Sequence, residues 1–125
     1  MPLSQTKLLI RADAGPGIGA QHVRRMHTLA RTYRQRGGEA TMVVGDVPTS
    51  LLNKIERDGI RVFRVLSPAG QQADAIETRE IIALERPHWR AIDGHQFSAD
   101  YQSYLCEGVA LRLAMNGPNH LAPNE

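Results

Sequence analysis

The residue types best suited to chemistry lie in one stretch, IRADAGPGIGAQHVRRMHTLA, residues 10–30. Asp13 closes an apolar run, Gly15, Gly17 and Gly19 follow, and His22 stands where a helix should begin. A histidine in the first turn of a helix feels the positive end of the dipole, which disfavours imidazolium. The neutral ring is the form that takes a proton from water. That chemistry suits a general base, with Asp13 placed to orient a hydroxyl or an imidazole. Backbone N–H groups near Gly17 and Gly19 suit phosphate or sugar oxygens. Arg25, one turn beyond His22, shares its side of the helix and reaches an anion. Each residue also has a plain structural use. His22 can bond to its own loop, Asp13 can pin the glycine loop as an Asx-turn, and Arg25 can be solvated like Arg24, Arg31, Arg34 and Arg36.

These residues must be positioned by strands and helices of ordinary length. KLLIRAD (7–13) reads as a buried strand, and 20–36 as a helix with Val23, Met26, Ala30 and Tyr33 at helical spacing. Gly37 and Gly38 end that helix. EATMVVG (39–45) is a strand, and 48–59 a helix capped by Thr49 or Ser50 and closed by Gly59. IRVFRVL (60–66) alternates apolar and basic residues, as a strand with one more solvated face does. A helix follows over 73–87, ended near Pro87, then a strand over 88–93 with Trp89 in the core. A Ser-capped helix over 98–105 and a strand over 108–115 complete a domain spanning 1–115, and 116–125 read as a polar, flexible tail.

Alternating strands and helices predict a single Rossmann-like α/β domain, a parallel sheet of about five strands with helices on both faces. Such sheets bind ligands beyond the carboxyl ends of the strands, where strand order reverses. In a Rossmann-type order, strands one and four flank that crevice. The loops after them are 13–21 and 93–97, which adds Asp93 and His95 to the candidate site.

Composition narrows the classes. The chain has 125 residues, 42% hydrophobic and 22% charged, and a net charge of +2. That charge gives no argument for nucleic acid, and no interleaved aromatics accompany the arginine stripe. The single cysteine, Cys106, excludes an intrachain disulfide and fits a reducing cytoplasm. No apolar run approaches the length of a membrane span, and the N-terminus lacks the apolar core of a signal peptide. His27 and His88 lack ligand partners at useful spacing, so no metal is expected, and no cofactor is implied.

GPGIGA (15–20) fits the G-x-G-x-x-G/A dinucleotide pattern, with Asp46 beyond the second strand as a ribose ligand, which keeps a nicotinamide-dinucleotide reading open. A longer match is more specific. Arg11, Asp13, Ile18, Gly19, His22, Arg25, Leu29 and Ala30, with the later ADAIETREII and the strand ending at Asp93, resemble the UDP-sugar hydrolases of pseudaminic acid biosynthesis over residues 7–115. The resemblance implies the N-terminal half of a GT-B-type enzyme. His22 becomes the catalytic histidine, with Asp13 beside it. Arg11, Gly19, Arg25 and Asp93 become sugar or UDP-sugar contacts, joined by Gly17 and His95 from their places in the two loops.

The sequence departs from that family in three ways. Gln21 replaces the glycine before the histidine, DGHQF (93–97) replaces Asp-His-Tyr, and the second domain that carries most nucleotide contacts is not in this chain. The resemblance therefore leaves open whether the chain is an enzyme by itself. It fits a half-site that needs a separate C-terminal-domain partner, or a second copy in a homodimer, for turnover. The alternatives are a binding module without turnover and an interaction protein that has lost the site.

Overall fold

The apolar run at 8–10 has a simple cause: its strand is covered on both faces. The computed structural model describes residues 6–13, 21–94, 96–106 and 113–114. Its elements are β1 (Lys7–Ala12), α1 (Gln21–Gln35), β2 (Glu39–Val44), α2 (Thr49–Arg57), β3 (Arg61–Arg64), α3 (Gln72–Glu85), β4 (Trp89–Asp93), α4 (Ala99–Cys106) and β5 (Leu113–Ala114). The sheet runs β3-β2-β1-β4-β5, with every pairing parallel. Strand order therefore reverses between β1 and β4, as the alternating pattern predicts.

Register decides what each strand end can do. Ile10 lies level with Ala91, and Ala12 level with Asp93. Strand alternation sends Leu8, Ile10 and Ala12 to one face, where they pack with Val23, Met26 and Ala30 of α1 and Leu51 and Ile55 of α2. Leu9, Val43 and Ile92 face the other way, onto Ala75 and Ile82 of α3 and Tyr101 and Leu105 of α4. β3 is an edge strand, and its alternating sequence is half-buried or exposed throughout.

Most local signals read as expected. Gly37 and Gly59 take positive φ values (99° and 79°) just after α1 and α2. Arg86 turns α3 into a left-handed residue ahead of Pro87. The Ser98 hydroxyl accepts the Tyr101 N–H at 3.1 Å, capping α4.

Two details differ. Neither Thr49 nor Ser50 caps α2. Pro48 holds the N-cap position, and its carbonyl accepts the N–H groups of Leu51 and Leu52. Trp89 is not core but 39% exposed. It begins β4 at the amino edge of the sheet, while its neighbour Arg90 turns inward and donates to the Leu105 carbonyl. Of the strand expected over 108–115, residues 113–114 are described, as β5, and the rest lie outside the described residues. The tail 116–125 lies outside the described residues. No helix among the described residues is long and apolar enough to cross a membrane.

Candidate functional site

β4 delivers Asp93 to the carboxyl edge of the sheet at the switch point, level with Ala12 and therefore on the α1 face. α1 begins beside it and presents His22 and Arg25, three residues apart on one side of the helix. The three side chains meet. His22 Nδ1 lies 3.0 Å from Asp93 Oδ1. Arg25 Nε donates to Asp93 Oδ2 at 3.0 Å, and its Nη2 donates to both carboxylate oxygens at 2.8 Å. The carboxylate is fully buried, while the histidine side chain is 17% exposed and the arginine 54%.

Arg25 Nη2 also lies 3.2 Å from His22 Nδ1, so the hydrogen on that nitrogen must be inferred from its surroundings. An imidazole lone pair facing a carboxylate oxygen at 3.0 Å would be repelled. A hydrogen on Nδ1 turns the same contact into a hydrogen bond. Asp93 thus selects the tautomer with Nδ1–H, and Nε2 becomes the basic nitrogen. A buried carboxylate on Nδ1 orients the ring and stabilises the imidazolium formed when Nε2 takes a proton. Arg25 neutralises the carboxylate and keeps a half-exposed guanidinium at the mouth of the site.

The carboxylate beside the His22 ring is therefore Asp93, and Asp13 meets partners elsewhere. Asp13 follows Ala12 by one residue, and alternation turns it to the opposite face. There its Oδ1 accepts the Asp46 N–H at 2.7 Å, and its Oδ2 lies 3.7 Å from Arg11 Nη2.

Arg11 is also displaced from the substrate-binding place expected for it. Its guanidinium is wholly buried on the α3/α4 face. Nη2 and Nε donate to the two Asp74 oxygens at 2.8 and 3.3 Å, and Nε also reaches the Tyr101 hydroxyl at 3.2 Å. Nη1 donates to the carbonyls of Ala12 and Val43. Asp74 further accepts from Thr78, Tyr101 and the Gly70 N–H. Burial pushes the Tyr101 hydroxyl well above its ordinary range, so it remains a donor. Gly17, Gly19 and His95 lie outside the described residues.

The sequence reading missed several of these contacts. Asp74 looks like an ordinary acidic residue in a first helical turn, and nothing local marks it as the partner of Arg11. His27 pairs with Asp58 at 2.7 Å, which ties α1 to the end of α2. Sequence reached only part of the Asp93–His22 contact: both residues flank the expected switch point, but the register that turns Asp93 rather than Asp13 toward α1 comes from strand pairing.

No protein-family model and no curated protein sequence matches the chain. Among solved structures, the fold is similar to a glycosyltransferase from Rickettsia africae ESF-5, with a TM-score of 0.64 and 16% sequence identity. The match covers 91% of this chain and 31% of that one. At that identity the likeness is one of fold, and it assigns this chain a Rossmann-like α/β architecture of the kind found in that glycosyltransferase.

Proposed function

We propose that the chain binds a sugar or UDP-sugar at the loops after β1 and β4, as a hydrolase-like or glycosyltransferase-like half-site of the kind found in UDP-sugar hydrolases. What carries this reading is the Asp93–His22–Arg25 constellation at the switch point. In it His22 Nε2 takes a proton from water as the water attacks the sugar–phosphate junction. The linkage breaks and the nucleotide leaves with its charge on phosphate oxygen. In a transferase an acceptor hydroxyl replaces the water. Asp93 holds the ring, and Arg25 faces the anionic leaving group.

The glycosyltransferase with this fold is a longer chain, of which the match covers 31%. Turnover is accordingly proposed to need an opposing wall from further polypeptide, a partner chain or a second copy. Titration with UDP and UDP-N-acetyl sugars, followed by backbone-amide NMR, tests the reading. Shifts at His22–Arg25 and Ile92–Gly94 are expected. No shift at millimolar ligand, about −4 kcal/mol of affinity, would rule out binding by the chain alone.

A further inference from the structure

Across the sheet from His22, a second recess opens beyond the carboxyl ends of β1, β2 and β3. It has a volume of about 470 Å³, and its polar lining is Asp13, Asp46, Arg64, Ser67 and Gln96. Its walls are built. Gly45 lets Asp13 close in, because a Cβ there would lie 2.6 Å from Asp13 Oδ2. The loop after β3 is held by Glu77, which accepts the Leu66 N–H at 3.1 Å and the Ser67 hydroxyl at 2.9 Å. Gly70, at φ +81°, packs that loop on the carbonyl of Gln96.

Within these fixed walls three groups are uncommitted. Among the described residues the exposed Asp46 carboxylate has no ion-pair partner. Arg64 uses Nη2 on the Gly45 carbonyl at 3.0 Å, and no described carboxylate takes its remaining donors. Gln96 Nε2 is buried without an acceptor among the described residues. A buried donor left unsatisfied costs free energy that a ligand acceptor recovers. A carboxylate and a guanidinium lining one recess, yet not paired with each other, suit a ligand with both hydroxyls and an anionic group.

We infer that this recess is a second ligand subsite, for a monosaccharide bearing one anionic group. Arg64 takes the anion, Asp46 accepts from neighbouring hydroxyls, and Gln96 Nε2 donates to a ring or hydroxyl oxygen. The choice of a sugar rests on the reading of the switch point; the anion and hydroxyl chemistry is the recess's own.

Titration with glucuronate, glucose 6-phosphate, glucose and inorganic phosphate, read at the amides of Gly45, Asp46, Ser67 and Gln96, tests it. One or both anionic sugars should shift these amides, and the stronger identifies carboxylate or phosphate. Arg64→Gln should weaken that binding tenfold or more. Gln96→Leu should weaken it severalfold with no loss of melting temperature, because the free protein gives up no hydrogen bond at Nε2. No response to either anionic sugar, an equal response to glucose or to inorganic phosphate, or a Gln96→Leu protein that melts lower yet binds normally would overturn the inference. UDP-sugar shifts at Arg25 and Asp93 without any response here would leave the proposed function standing and this subsite refuted. The reverse pattern would leave the subsite and refute the nucleotide-sugar reading.

Discussion

Two buried aspartates, Asp74 and Asp93, each hold an arginine through both carboxylate oxygens, on opposite faces of the same sheet. Around Asp74 everything is closed. Arg11, Thr78, Tyr101 and the Gly70 amide surround it, and Arg11 is itself wholly buried. Around Asp93 the carboxylate is equally buried, but Arg25 is half in solvent and His22 lies at the rim. The ion pair is chemically the same in both places; what differs is where its far side points. A network that turns inward fixes the geometry of α3, α4 and the end of β1. One that turns outward holds an imidazole and a guanidinium at the rim of the switch point. Satisfied charge alone marks neither structure nor function.

The comparison breaks most sharply at Asp74. Asp74→Ala leaves the buried Arg11 guanidinium with only the longer, 3.7 Å contact to Asp13 as counter-charge, and a loss of about 3–5 kcal/mol is expected by urea denaturation. A loss under about 1 kcal/mol would mean that the closed network holds nothing together. At the open site the order reverses. His22→Ala should leave stability within about 1 kcal/mol, while any hydrolysis of a UDP-sugar falls by about 10²–10⁴. Asp93→Asn should lower the same rate while keeping UDP-sugar binding, because an amide no longer stabilises the imidazolium. An unchanged rate would remove Asp93 from the mechanism.

Smaller effects sharpen the contrast. Arg25→Gln should change stability by less than about 1 kcal/mol, since its side chain is 54% exposed and screened. It should still weaken UDP-sugar binding, which isothermal titration would report. Tyr101 gives a pH signature. Burial raises its pKa in the folded state, so the folded protein keeps the proton when the unfolded chain, at about 10, begins to lose it. Its stabilisation is full below that pH and declines as pH rises above it. Tyr101→Phe should flatten the alkaline limb of a stability–pH curve, and an unchanged limb would count against a buried phenol.

The glycine loop and the helix behind it made the switch point legible. His22, Arg25 and Asp93 were all expected near one crevice, and they meet there. The family resemblance places Arg11 and Asp13 at that crevice, and strand alternation turns both to the other face of the sheet. Trp89 was expected inside for its size, whereas its place at the start of β4 left it partly exposed and put Arg90 inside. Gln96 and Arg64 carried no local signal, because the recess they line is made only when the segments at the ends of four strands come together.

Sequence alone determined the elements, their order and their ends. Helical and strand periodicities, glycine at positive φ and proline after a helix act within a few residues and need no distant partner. It also determined the switch point, since alternating strands and helices leave few ways to wind a parallel sheet. The tertiary structure alone decided which charge meets which. Pairing Ala12 with Asp93 sets the face to which each carboxylate turns, and a shift of one residue would exchange the faces. The contacts Arg11–Asp74 and His22–Asp93 join residues 63 and 71 positions apart, a separation that only packing can bridge.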